Sequence, residues 1–294
     1  MKNIRIIDTF DDFSACWSKV AKASTDRRID AWAEDYLSRW PELLAKQIEN
    51  YASEKMDWRR IARERVFPHL ARRLPGMRRA RRNLQALCGP VCRTVRRTFG
   101  FDHDVLFVIH VGIGCGAGWA TTFQDTPSVL FGLESIAECG WTGRGALTGL
   151  IAHELAHLGH HHRRMQNGKP TGSGPWWQLY EEGFAQRCER KVLGSAPWRQ
   201  ANSRGGRGWL GWCRSRRDYL AAEFIHRADT GGDIRPFFGS WFDLDGKRET
   251  GYFLGCEAIR ELETRHSLEE IALWENVEEH LRPVLAGMAQ TQNA

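Results

Sequence analysis

Residues 105–165 read VLFVIHVGIGCGAGWATTFQDTPSVLFGLESIAECGWTGRGALTGLIAHELAHLGHHHRRM. The run Val105 to Val111 is dense in β-branched residues, which predicts a strand. The glycine-rich GIGCGAGW (112–119) separates it from a second apolar run, SVLFGLESI (128–136). The two runs read as neighbouring strands of a small sheet, with the second at its edge. From Ala146 to Met165 the apolar residues Leu147, Leu150, Ile151, Leu155 and Leu158 recur at helical spacing, so a mostly buried helix is expected there. Strands that feed such a helix point to the α+β class.

Working outward, Ile4 to Asp8 alternates as a short strand, and Asp11 to about Leu74 shows helical spacing with anchors at Trp17, Trp32, Trp40 and Trp58. On the other side, NGKPTGSGP (167–175) is a loop and Trp176 to Leu193 a second helix. The glycine, arginine and tryptophan mixture of 194–212 reads as a mobile connection, and helices return from Cys213 to the end, interrupted by 231–248. The expected architecture is a small mixed sheet with helices in an N-terminal lobe, residues 1–166, and a mainly helical C-terminal lobe, residues 167–294. The functional cleft is expected between them.

The chain has 294 residues, 42% of them hydrophobic, enough for a sizeable core. Mean hydropathy is −0.49, and the apolar runs stop well short of the ~20 residues of a bilayer span, so no membrane association is expected. The opening MKNIRIIDTFDDF lacks the pattern of a secretory leader, and eight cysteines occur without a C-x-x-C pair. Reduced, packed thiols and a cytoplasmic protein follow from this. The net charge of +6 hides an imbalance: residues 59–97 hold thirteen arginines, no lysine and one acid, Glu64, an excess of +12 that leaves the remainder at −6. Met77, Leu84, Leu87, Val91 and Val95 lie at helical spacing in this stretch, and Pro68, Pro75 and Pro90 are expected to cut it into short helices. The arginines read as a solvated helix face, and nucleic acid is not expected as a partner, because no nucleic-acid-reading motif accompanies them. GIGCGAG alternates as G-x-G-x-G-x-G and precedes an apparent strand, so it is not a dinucleotide fingerprint.

The chemistry concentrates in His153-Glu154-Leu155-Ala156-His157, which is H-E-x-x-H. On a helix, residues i and i+4 share a face, so both imidazoles can reach one ion while Glu154 holds and deprotonates a water. Such a site suits one zinc ion per chain, and a catalytic zinc wants a third protein donor. The next helix contains Tyr180-Glu181-Glu182-Gly183-Phe184-Ala185. If the two helices pack antiparallel across the 167–175 loop, Glu182 supplies the third donor. A metzincin would carry glycine three residues and histidine six residues after His157, where this chain has His160 and Arg163.

HELAH followed by EEGFA resembles the gluzincin metallopeptidases, the peptidase-MA-like group that includes aminopeptidase N relatives. The gap of 24 residues between His157 and Glu182 is longer than in that aminopeptidase pattern, and no intact G-x-M-E-N motif is present. The chain looks more similar to compact bacterial zinc proteases, with Gly251-Tyr252-Phe253-Leu254-Gly255 as their Tyr-x-x-Gly helix. The resemblance covers about residues 105–275. It implies a zinc hydrolase that cleaves a peptide or protein substrate, with His153, His157 and Glu182 as ligands, Glu154 as general base and Tyr252 as donor to the oxyanion. Tyr252 also reads as a packed helix-start residue. His226 is a weaker candidate. Glu189, one helical face with Glu182, would orient a ligand imidazole or face solvent; Glu134, at the end of the edge strand, would bind a substrate amine or be solvated. His160, His161 and His162 read as a polar helix end. The alternative function is a metal-containing regulator or nucleic-acid-associated protein that acts through the 59–97 face.

Overall fold

The computed structural model describes residues 3–101, 103–202, 206–239 and 241–290. Four strands form one mixed sheet: β1 (Ile4–Asp8), β2 (Val105–His110), β3 (Gly118–Phe123) and β4 (Thr126–Gly132), in the order β1-β2-β4-β3. β2 is buried at all six positions and pairs in parallel with both β1 and β4, from Leu106 opposite Ser128 to His110 opposite Gly132. An all-apolar run is what a strand covered on both faces requires. The α+β class stands as expected, but two details of the sheet differ. The apolar run 128–136 is not one strand at the edge, because β4 stops at Gly132 and lies between β2 and β3. The edge belongs to β3, which pairs antiparallel with β4 through a two-residue turn whose Gln124 and Asp125 both have positive φ, 49° and 54°. That left-handed pair matches the twist of a hairpin.

Packing divides the chain into two compact units, Met1–Glu154 and Leu155–Ala294, so the boundary runs inside the H-E-x-x-H helix rather than after it. Helices of the first unit are α1 (Phe10–Val20), α2 (Thr25–Ala31), α3 (Pro41–Ser53), α4 (Trp58–Ile61), α5 (Phe67–Phe99) and α6 (Leu133–Cys139). α7 (Arg144–Gln166) carries the boundary.

α5 corrects the expectation of short pieces, since it runs unbroken for 33 residues with Pro75 and Pro90 inside it. Its buried stripe, from Leu70 and Met77 through Leu84, Leu87 and Val91 to Val95, is the apolar spacing read from the sequence. The prolines lie on the opposite, exposed side, as do Ala71 and Ala86, whose carbonyls lose their helical donors to Pro75 and Pro90. A proline on the wet side of a helix leaves its orphan carbonyl to water, so packing on the other side keeps the helix whole.

The second unit holds α8 (Pro175–Leu193), α9 (Trp209–Ser215), α10 (Arg217–Thr230), α11 (Arg235–Phe238), α12 (Thr250–Leu262), α13 (Leu268–Ile271) and α14 (Val277–Ala289). α8 and α12 meet through glycines: a Cβ on Gly183 would stand 2.5 Å from the carbonyl carbon of Gly255, and one on Gly255 would stand 2.6 Å from the Leu179 carbonyl oxygen. The connection before α9 is packed, contrary to a mobile reading, with Trp198, Arg199 and Gln200 buried. Residues 203–205 of that stretch lie outside the described residues. The eight cysteines are all free thiols. No helix among the described residues is long and apolar enough to cross a membrane.

Candidate metal centre

α7 brings His153 and His157 onto one face one turn apart, as the i, i+4 spacing requires. Contacts between α7 and α8 run in opposite directions: His157 meets Glu182, His161 meets Glu181, and the Arg164 guanidinium lies over Trp177. The two helices are therefore antiparallel, and the register places the second carboxylate of EEGFA at the histidines. One donor atom from each of His153, His157 and Glu182 lies within 4.8 Å of the others. Nε2 of His157 and Oε2 of Glu182 are 3.4 Å apart, the edge of a tetrahedron with bonds of about 2.1 Å. Two imidazoles and a carboxylate are a donor set that zinc prefers. The histidines are buried and Glu182 is partly exposed, so these residues fit a zinc ion with a side open to an incoming group.

Glu154 accepts a hydrogen bond from the Ala120 amide of β3, at 3.1 Å. Gly118 permits this closeness, because a Cβ there would stand 2.5 Å from Oε1 of Glu154. β3 is one of the two edge strands, so this border of the sheet and the carboxylate are held together within the first unit.

The loop that leads into β3 is fastened by buried side chains. The Val111 amide donates to the Tyr36 hydroxyl, and its carbonyl accepts from Trp32. Ile113 donates to Oε1 of Gln47 and accepts from the Tyr51 hydroxyl at 2.8 Å. Glu134 is not the solvated end of a strand. It sits in the first turn of α6, 1% exposed, and accepts from the amides of Gly112 at 2.7 Å and Gly114 at 3.0 Å and from the Ser135 hydroxyl. Burial raises its pKa while these donors oppose the rise. With its oxygens engaged by the loop, it is a structural group, not a binder of a substrate amine. His110, beside it at the end of β2, has its pKa lowered to about 4 by burial. The sequence names no site residue among the first hundred, and Gln47, Tyr36 and Tyr51 belong to no motif; only their burial betrays them.

The remaining candidates separate. Tyr252 lies on α12, edge-on to Phe238 with the Arg199 guanidinium over its ring, so its packing role is present. Glu189 is fully buried and paired with Arg199 at 2.9 Å, which replaces the solvated position. His226 is exposed on α10 and joins neither group of clustered donors among the described residues. His160 is no polar helix end: it is 1% exposed, its Nε2 lies 3.0 Å from the Tyr180 hydroxyl and 3.1 Å from the Ala272 carbonyl, and burial pushes its pKa down to about 3. A second cluster, His160, His161 and Glu181, is as tight as the first, but these bonds occupy Nε2 of His160 as a link to the 272 turn. Arg164, one turn on, binds the same carbonyl. No family model, curated protein or solved structure matches the chain.

Proposed function

We propose that the chain is a zinc-dependent peptidase of the gluzincin type, with His153, His157 and Glu182 holding one zinc ion. The observation that carries this reading is the convergence of the three donors, from two helices, with a spacing that one ion fits. When bound, zinc supplies Lewis acidity to water and to the scissile carbonyl. Glu154 takes the proton of the attacking water and returns it to the leaving amine, as water's oxygen bonds to the carbonyl carbon and the C–N bond breaks. Its hydrogen bond from Ala120 fixes the carboxylate beside the free border of β3. An extended peptide pairs with that border by strand addition. Tyr252 donates to the oxyanion from α12. Eight free thiols suit a reducing compartment such as the cytoplasm.

The test combines metal analysis with cleavage of a peptide library by wild type, His157→Ala, Glu182→Ala and Glu154→Gln. The expected result is about one zinc per chain in wild type and Glu154→Gln, its loss in the two ligand variants, and cleavage by wild type alone. Unchanged zinc content in both ligand variants would overturn the ligand assignment, and full cleavage by Glu154→Gln would overturn the mechanism.

A further inference from the structure

The thirteen arginines of residues 59–97 fall into two populations. Arg59, Arg60, Arg63, Arg73 and Arg81 each hold a carboxylate; Arg81, for one, binds both Asp8 and Asp11. Arg96 bonds the His103 carbonyl. Arg65, Arg72, Arg79, Arg82, Arg93 and Arg97 are exposed and form no ion pair among the described residues. At 100° per residue Arg72, Arg79, Arg82, Arg93 and Arg97 fall within an arc of roughly 80° on the side of α5 opposite its buried stripe, with Arg78 at the border; Arg65 lies in the turn before α5. Arg78 and Arg82, and Arg93 and Arg97, are like charges four residues apart, which repel on a helix. The first unit thus uses its acids elsewhere and leaves a row of guanidinium groups along α5, about 38 Å long, that form no ion pair among the described residues.

We infer that this outer face of α5 binds the phosphate backbone of duplex nucleic acid. The occupant follows from three properties of the face. It is a row of charges along one helix instead of a pocket, so it matches a rigid polyanion over about 11 base pairs, not a small anion. It is built of arginine, whose planar fork takes phosphate oxygens in pairs. It carries no exposed large apolar side chain; among the described residues only Ile6 and Met165 are of that kind, and neither lies on α5. A helix that lies on a bilayer needs such residues to bury. Recognition is by charge alone and independent of base sequence. This inverts the expectation from the sequence, in which paired and unpaired arginines look alike. It does not rest on the zinc site.

The experiment is fluorescence anisotropy of a 20-base-pair labelled DNA duplex with the full chain across a salt series. Binding is expected to weaken by a slope of about −4 to −5 in log K against log salt. In Arg72→Gln/Arg79→Gln/Arg82→Gln/Arg93→Gln the slope should flatten by about 3 and affinity should fall at least tenfold at low salt, with an unchanged circular-dichroism melt. Arg82→Gln alone should lower the slope by about one, which keeps the test decisive should the quadruple variant fold poorly. Absence of binding in 50 mM salt, equal binding by wild type and both variants, or retention by anionic vesicles but not by the duplex would each overturn the inference.

Discussion

The buried loop at 111–115 and the helix pair α7–α8 both gather polar side chains in apolar surroundings, and they resolve the burial in opposite ways. In the loop, main-chain groups meet side-chain atoms one for one: the two oxygens of Glu134 answer two glycine amides, Gln47 a third amide, Tyr51 a carbonyl. In the helix pair, side chains of one chemical kind, all able to donate an electron pair, converge on one another. A network closed by its own backbone is a device for holding shape, because any member removed leaves an orphan. A convergence of lone pairs is costly for shape, and the zinc proposed above would offset that cost. The first region should therefore fail in stability and the second in activity.

The largest effect is expected from Glu154→Gln. Loss of a general base reduces rates by 10² to 10⁴, and the thermal midpoint should stay with that of wild type, since a carboxamide still accepts from Ala120. A melt lowered as much as the activity would erase the distinction between the regions. Glu134→Leu should do the reverse. It strands the amides of Gly112 and Gly114 in the interior, a cost of about 3 kcal/mol by urea unfolding, while bound zinc per folded chain stays at wild-type level.

His110 sharpens the comparison through pH. Its imidazole titrates at about 4 in the fold and near 6.5 in the unfolded chain. Between those values the unfolded state binds more protons, so the contribution is complete above about pH 6.5 and is lost as pH falls towards 4, amounting to about 3 kcal/mol. His160 slopes the same way and Glu134, with its raised pKa, the other way. The difference between wild type and His110→Asn across pH 4 to 6.5 isolates the one residue; parallel curves would show that folding does not lower the His110 pKa. The smallest effect belongs to Tyr51→Phe, which removes one donor to Ile113 and should cost about 1 kcal/mol.

What the sequence made legible was what periodicity and ligand spacing encode. The H-E-x-x-H helix and its helical partner follow from repeats of 3.6 residues along two adjacent segments, whereas the choice of Glu182 over Glu181 came from the Gly-Phe-Ala that follows it and the family it resembles. What it hid depended on distant partners. Glu134 looked like a strand end because the glycine amides it binds lie some twenty residues earlier. β3 was masked by Gln124-Asp125, an unusual pair for a turn in which both residues take positive φ. The prolines of α5 misled because a proline's cost depends on which side of the helix it faces, a fact about burial and not about the residue. His160 and Arg164 share an acceptor, Ala272, more than a hundred residues away.

The contact between Gly183 and Gly255 has a mechanical side. Where helices touch through side chains, rotamer changes let them slide and breathe; where main chain rests on main chain, there is no such play. Glu182 is the immediate neighbour of one glycine and Tyr252 is three residues before the other, so both ride on a joint that is stiff in the way a weld is stiff. Even a single methyl group added at either glycine would have to be accommodated by shifting a whole helix, and in a laboratory evolution experiment on this chain these two positions should be the slowest in the second unit to accept change.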